Sequence, residues 1–460
     1  MSTDRVIPID QPRPFGREEL FFSLTDPKGK IRYGNEVFTR VSGYPEEQLV
    51  GAPHSVIRHP DMPRCVFQLL WDTIKAGQTI AAYVKNMAAD GTYYWVLATV
   101  FPCPGGYLSV RLNPSSPLFD PARELYAEAL TCQREHELQR GRSEAMAVSG
   151  QQLLDRLAEL GFASYADFMR EALVEELRSR AGLPPREQDK EYRPDHDTGL
   201  VLLGQTSRRV VETLHELFAS LEVFSRLNAK LSEKQSTMSE LGPSLAFLAL
   251  NAHVASSRMG SEGAVLSVVS RELSLHAKLA DQRLVELMQK IEPLCKAARE
   301  LAFNVAVAQL ESEVFVAYAR ELDTESLREE STFTALNTLQ GDLSDRCCTA
   351  MAGLSVLASD LSRVQQIAND LIGHVGQMKV TQLNGKIEIA GRRDAAGFIG
   401  IFEDVATIVA EARGDCDAIV DARASIAGLL ELEKRLTAEL ADVASATNTL
   451  SMPLLEGATC

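Results

Sequence analysis

The sequence predicts an α+β head followed by a mainly α-helical body, built as a long antiparallel coiled coil or four-helix bundle. Three observations predict it. Both Trp residues, Trp71 and Trp95, lie in the first hundred positions of a 460-residue chain that is only 6% aromatic. Short strand-like runs punctuated by Gly and Pro fill residues 19–113. From about residue 200, apolar residues instead recur at heptad spacing, which places them along one seam of a helix. The expected organisation is an N-terminal arm (1–18), the α+β domain (19–113), a helical connector (114–199) and two helical hairpins (200–312 and 313–460).

In the head, LFFSLTD (20–26) and KIRYGN (30–35) read as strands joined by a turn at Pro27-Lys28-Gly29. EVFTRVSGY (36–44) and PEEQLVG (45–51) read as short helices, the second with Pro45 in its first turn. Residues 62–77 form a helix with Val66, Leu69, Leu70, Trp71 and Ile74 on one face, closed by Gly77 as a left-handed cap. IAAYVKNMA, TYYWVLATVFP and YLSVRLN supply three more strands, with a hairpin turn at Asp90-Gly91. The sum is a small five-stranded antiparallel sheet with helices on one face. PSSPLF (114–119) reads as a linker, and the stretches starting at Ala122 and at Ser149 read as helices. Gly182-Leu183-Pro184-Pro185 and the charged run 186–199 mark a second boundary.

The body opens on a seam of Leu217, Phe224, Leu231, Met238 and Leu245, with Leu214 and Leu221 at the alternate core position. Asn228, Gln235 and Gly242 continue that alternate line, and polar seam residues fix register or permit motion. Breaks are expected at Gly260–Gly263 and between Gly391 and Gly397, with a boundary near 312–332. Each arm of about 50 residues spans about 75 Å.

Composition excludes several function classes. A net charge of -16 argues against nucleic acid and against anionic lipid. No apolar stretch is long enough to span a membrane, and the first residues lack a signal-type apolar region. A cytoplasmic protein without membrane insertion is expected. The eight Cys are scattered without C-x-x-C or zinc spacing, so no metal ligands are assigned. There is no Gly-rich phosphate loop and no G-x-S-x-G, so no catalytic residues are assigned and the chain is not expected to be an enzyme.

The run NEVFTRVSGYPEEQLVGAPHSVIRHPDMP, with VKN (84–86), DGTYYWV (90–96) and YLSVR (107–111), resembles the PAS domains of the bacterial aerotaxis receptor family. The resemblance implies FAD in the cleft between helices and sheet; haem, held by His59 or His54, or no cofactor are the alternatives. Carried over position by position, the cofactor-binding residues are Asn35, Arg58, His59, Asp61, Asn86 and Trp95. A guanidinium and an amide can hydrogen-bond a flavin's carbonyls and ring nitrogens, and Trp95 can pack on the ring or on the sheet. One departure stands out: Ile80 occupies the place of a Trp common in that family. Read without the resemblance, Asp61 caps a helix beginning at Met62 and pairs with Arg58.

LAFLALNAHVASSRMGSEGAVLSVVSREL (245–273) resembles the hairpin tip of chemoreceptor signalling domains, and QLNGKIEIAGRRDAAGFIGIFEDVATIVAEAR (382–413) resembles it a second time. Ala255, Ala264, Val265 and Leu266 depart from the family pattern. The resemblance implies a partner-binding tip at Leu250, Asn251, Arg258, Glu272, Asn384 and Glu388. Partners would be a chemotaxis histidine kinase and its coupling protein, or other receptor-array components. Two hairpins in one chain can build an intramolecular pseudo-dimer, or the chain can form a homodimer. No methylation segments and no C-terminal aromatic tether are found. The expected function is a redox- or energy-taxis type sensor whose head biases the packing of its body. The alternative is an interaction or scaffold protein of an array or polar complex, with the head as a docking module.

Overall fold

The computed structural model describes residues 6–181, 198–258, 264–321, 330–390 and 423–456, with short pieces between 400 and 414. These fall into two compact units. One holds Met1–His215, Phe303–Cys348 and Arg435–Cys460; the other holds Glu216–Ala302 and Thr349–Lys434.

In the first unit five strands form one antiparallel sheet: β1 (Phe21–Thr25), β2 (Ile31–Gly34), β3 (Ile80–Met87), β4 (Tyr93–Cys103) and β5 (Gly106–Leu112). Their order across the sheet is β2-β1-β5-β4-β3. Between β2 and β3 lie α1 (Glu36–Ser42), α2 (Glu46–Leu49), a 3-10 turn (His54–Ile57) and α3 (Arg64–Lys75). The turns follow the local chemistry. Gly29, Gly77 and Gly91 all take positive φ, at 77°, 77° and 90°, where a Cβ would be strained. Helix α1 is capped by Asn35, whose side chain accepts from the Phe38 N–H at 3.1 Å, and it ends on left-handed Gly43. The arm runs beside the β3–β4 hairpin, with Ile9 N–H donating to the Gly91 carbonyl at 2.7 Å and Arg13 N–H to the Tyr93 carbonyl at 2.7 Å.

The connector is three helices: α4 (Phe119–Arg140), α5 (Arg142–Glu159) and α6 (Tyr165–Arg180). The second helix expected from the sequence, from residue 149 on, is two helices with a break between them. Gly161 adopts φ 88°, and Ser164 caps α6 by accepting from Asp167 N–H while its hydroxyl donates to Asp167 Oδ2. That reciprocal cap favours a new helix start over a continuous one. The expected linker is also not a free tether. Ser115 N–H and Oγ both donate to Glu176 Oε2 on α6, at 2.7 and 3.0 Å.

The body is helical: α7 (Thr198–Arg258), α8 (Ala264–Glu321), α9 (Glu330–Ile389) and α10 (Arg423–Glu456). In the second unit the buried line of α8 reads Leu273, Ala277, Ala280, Leu284, Leu287, Ile291, Leu294. On α9 it reads Ala350, Leu354, Leu357, Leu361, Val364, Ala368, Leu371, Val375, Met378. Alternating steps of three and four are those of a coiled-coil seam. Leu214, Leu217 and Leu221 are buried as expected. The side chains of Phe224, Leu231, Met238, Leu245, Asn228, Gln235 and Gly242 lie outside those described. So do both expected breaks, at 260–263 and 391–397. Helix α8 extends past residue 312 and ends at Glu321, inside the boundary region expected near 312–332. In the first unit α8 is buried on every side from Val305 to Leu310, as a helix enclosed by neighbours must be.

Candidate functional site

The sheet has two faces, and strand alternation assigns each side chain to one of them. Val84 and Asn86 of β3, Ala98 and Val100 of β4, and Ser109 and Arg111 of β5 point to the face that α3 and the 3-10 turn cover. There they wall a cavity of about 320 Å³, which Phe67, Leu70, Trp71, Ile74 and Tyr107 close with apolar and aromatic surface. That is the lower end of ligand-pocket volumes. Its polar lining is Thr25, Lys28, His54, Ser55, Arg58, Asn86, Ser109 and Arg111, with no carboxylate and no cysteine.

The cations set the electrostatics. Arg111 is only 1% exposed. Its Nη2 donates to Ser23 Oγ at 3.1 Å and to His54 Nε2, and its Nη1 donates to the Ser109 carbonyl at 3.2 Å. The Phe21 and Phe38 rings flank the guanidinium at 5.5 and 5.2 Å, a geometry that favours a cation. Burial still lowers its pKa to about 10. Burial first, then the Arg111 and Arg58 charges, hold His54 well below the usual imidazole value. His54 is therefore neutral, and its Nε2 is the lone pair that receives the guanidinium. Arg58 lies with its guanidinium carbon 3.6 Å from the Phe67 ring centroid, and its Nε is buried without a hydrogen-bond partner. A buried donor left open at a cavity wall is a position a ligand can satisfy.

Of the six head residues picked from the sequence, the structure brings Arg58 and Asn86 together at the cavity. The other four lie elsewhere. Asn35 is spent on the fold: its Oδ1 accepts from the Phe22 and Phe38 N–H groups and its Nδ2 donates to the Leu20 carbonyl. His59 is buried, with Nδ1 accepting from the Asp61 N–H at 3.1 Å. Asp61 is half-exposed and pairs with Lys85 and Arg134, each at 3.1 Å. It neither pairs with Arg58 nor caps a helix: α3 starts at Arg64, after Pro63, with no side-chain cap. Trp95 pairs with Lys85 across β3–β4 and faces away from the cavity, packing on Phe119 and Tyr126 of α4 at 5.5 and 6.4 Å.

Sequence reasoning missed Trp71, Phe67, Lys28 and Arg111 as site residues. The signal for Trp71 was present. Ile80, at the place where the resembling family commonly has a Trp, opens β3 and is buried in the sheet opposite Val100. The indole at this cavity comes from α3 instead. Its ring sits 2.8 Å from where a Cβ on Gly29 would stand, so the turn Gly and the cavity Trp are matched.

The outer face of the same strands meets the connector. Tyr83 of β3 donates to Glu176 Oε1 at 2.8 Å and lies 3.0 Å from Ser116 Oγ. Glu176 is fully buried. Burial and the Glu176 charge both hold the Tyr83 phenol far above its ordinary pKa. Tyr83 and Val84 are successive residues, one on the connector and one in the cavity wall.

Residues 31–106 match the family described as PAS fold. This segment is a PAS domain. The chain is 35% identical over 121 residues to the aerotaxis receptor of Escherichia coli (strain K12), a match covering 25% of this chain and 24% of that receptor. It is 32% identical over 80 residues to the nitrogen fixation regulatory protein of Klebsiella pneumoniae, covering 17% of this chain and 16% of that protein. Each match thus spans a quarter or less of the relative's own length. Among solved structures, the light state of the blue-light photoreceptor Aureochrome1 LOV aligns at 22% identity with a TM-score of 0.21, over 22% of this chain and 88% of that one. The Rhodobacter sphaeroides LOV protein aligns at 18% identity with a TM-score of 0.20, over 31% of this chain and 87% of that one.

In the second unit, Leu250 is 58% exposed. Arg258, Glu272 and Asn384 are exposed, and Asn251 and Glu388 are half-exposed. Among the described residues no helix is long and apolar enough to cross a membrane, and no group of three or more metal-ligating side chains occurs.

Proposed function

We propose that this chain is a non-enzymatic, cytoplasmic sensor of the taxis type, whose PAS cavity holds a flavin such as FAD. The single observation that carries the reading is the pairing of two faces on one strand. Val84 and Asn86 line a cation-rich cavity, and Tyr83, next to Val84 on the opposite face, grips the buried Glu176 of the connector. A change of charge in the cavity therefore bears on a strand that is hydrogen-bonded to the helical part of the chain.

The residues present suit a flavin. Arg58, with its open Nε, and Asn86 offer donors to carbonyl and ring-nitrogen acceptors; Lys28 at the rim suits a phosphate. Trp71, Phe67 and Tyr107 offer flat apolar walls, and the lack of a carboxylate leaves nothing to repel an electron-rich ring. A bound flavin supplies reversible electron uptake, which changes the charge on its ring. The protein's own part is to hold that ring, keep His54 neutral so that it does not add a further positive charge, and pass movement of β3 to α6.

Partner binding is read from the second unit. Phe247, Leu250 and Val254 are exposed on α7, and Val380, Leu383 and Ile387 on α9. The two runs share the spacing i, i+3, i+7, and they fall at equivalent places in the two receptor-like segments, where Leu250 aligns with Leu383 and Asn251 with Asn384. Two equivalent apolar stripes support two receptor-like hairpins in one chain. They also support docking of a chemotaxis histidine kinase or coupling protein there.

An absorbance spectrum of the purified protein tests the cavity. Flavin bands that bleach on reduction, and that weaken in Arg58→Ala, support the reading. A protein that stays colourless after incubation with FAD, yet co-purifies with receptor-array components, supports the docking-module reading instead.

A further inference from the structure

A second polar node joins the PAS sheet to the bundle helices, away from the cavity. Glu311 on α8 is 5% exposed. Its Oε1 lies 2.5 Å from Arg346 Nε on α9, while its Oε2 is buried without a hydrogen-bond partner. Arg346 continues toward the sheet. Its Nη1 donates to Thr79 Oγ1 at 3.0 Å, just before β3, and its guanidinium carbon lies 5.2 Å from the Phe101 ring centroid on β4. One arginine thus bridges two helices and two strands, all within the first unit.

A buried carboxylate with one oxygen unsatisfied is costly in its charged form. Burial raises the Glu311 pKa to about 7 against the opposing pull of Arg346, and the Asp342 charge adds to the rise. The other acids at the node are shifted in the same direction. Asp342 on α9 is itself raised by burial despite Arg346. The thiols of Cys347 on α9 and Cys103 at the end of β4 are raised by burial first and by neighbouring carboxylates second. Those thiols stay neutral through the pH range in which Glu311 titrates.

We infer that Glu311 and Arg346 form a proton-sensitive joint between the PAS domain and the bundle helices, giving the chain a pH input separate from its cavity. With Glu311 ionised, the ion pair anchors Arg346 between α8 and the strand ends. When Glu311 takes up a proton, no charge remains on it to hold the guanidinium, and Arg346 keeps Thr79, Phe101 and the nearby Asp342 charge. The linkage sign follows from a folded pKa above the unfolded value. This group's contribution to folding stability is full at low pH and is lost as pH rises through neutrality. The tether through Arg346 changes in the opposite sense. Nothing in this joint depends on a bound cofactor.

Infrared titration of the full-length protein reads the carboxyl directly. A carboxylic-acid band that titrates near neutral pH and is missing in Glu311→Gln is expected. Hydrogen exchange of the segments 79–83 and 99–103, corrected for intrinsic rates, is expected to differ several-fold between about pH 6 and pH 8 in the wild type, and to be flat in Glu311→Gln. Arg346→Gln provides a second arm, because removing the cation moves the Glu311 midpoint upward. The inference is overturned if wild type and Glu311→Gln titrate alike, or if Arg346→Gln leaves the midpoint in place.

Discussion

The two compact units solve the problem of polar and apolar surface in opposite ways. The first buries charged and polar side chains and satisfies most of them with one another: Arg111 with His54 and Ser23, Glu176 with Tyr83 and Ser115, Tyr126 with Tyr165 at 2.6 Å. Among its described residues the second buries fewer such groups, and its Ser256 and Ser270 hydroxyls simply donate to carbonyls of their own helices. Its described helices also leave apolar side chains outside, including Phe247, Leu250, Val265, Val356, Val380 and Ile387. Buried polar networks specify one arrangement, whereas exposed apolar stripes invite a partner. On the proposed reading, the first unit holds and reports a state, and the second presents a surface.

The comparison breaks most readily at Glu176. Glu176→Ala removes the acceptor of the buried Tyr83 hydroxyl, which keeps only Ser116 Oγ, and of the half-buried Ser115, and a loss of about 2 kcal/mol in unfolding free energy is expected. Tyr83→Phe removes one bond to the carboxylate and should cost about 1 kcal/mol. Denaturant unfolding of both variants and of the double mutant measures the coupling. Next in size, Gly29→Ala forces a Cβ onto a φ of 77° and against the Trp71 ring. It should cost about 1–2 kcal/mol and reduce the cofactor content of the purified protein. At the other unit, Leu250→Lys and Leu383→Lys should leave stability within about 0.5 kcal/mol. A pull-down with the chemotaxis kinase and coupling protein should nonetheless lose binding, more in the double variant than in either single one.

The smallest effect is electrostatic. Burial pushes the Asp61 carboxyl up, but hydrogen bonds and charge from Lys85, then His59 and Arg134, hold it below its ordinary value. A depressed folded pKa stabilises the fold above the unfolded value and is lost as pH falls through it. Because Asp61 is half-exposed, the contribution is small. Asp61→Asn should flatten only the acid limb of the stability curve, below about pH 4.

The parts of the fold that local chemistry dictates were legible in the sequence. Gly29, Gly77 and the Asp90-Gly91 turn place three of the head's chain reversals, because each needs a backbone conformation that side chains resist. The heptad seam at the start of α7 was legible for the same kind of reason, as a period set by helix geometry, and Leu214, Leu217 and Leu221 are buried along it; the seams of α8 and α9 emerged from the structure. Partners far apart in sequence were not. Trp95 read as a cavity residue because nothing local reveals that the β3–β4 register turns it toward α4 while Asn86 turns inward. Glu176 carried no signal at all: it is one carboxylate in an acidic helix until the fold brings Tyr83 and Ser115 to it. Arg58 was picked by resemblance, but its contact with Phe67 and its open Nε needed the structure. Arg111 looked like an ordinary strand residue, although its burial among Phe21, Phe38 and His54 sets the charge of the cavity.

The central claim is that the state of the PAS cavity reaches the connector through the outer face of β3. Hydrogen exchange across α6, around Glu176, measured with the cofactor-loaded protein oxidised and then reduced, tests it most directly. A redox-dependent change in protection in the wild type, lost in Tyr83→Phe while the absorbance spectrum stays intact, is expected. Equal protection of α6 in both redox states of the wild type would contradict it.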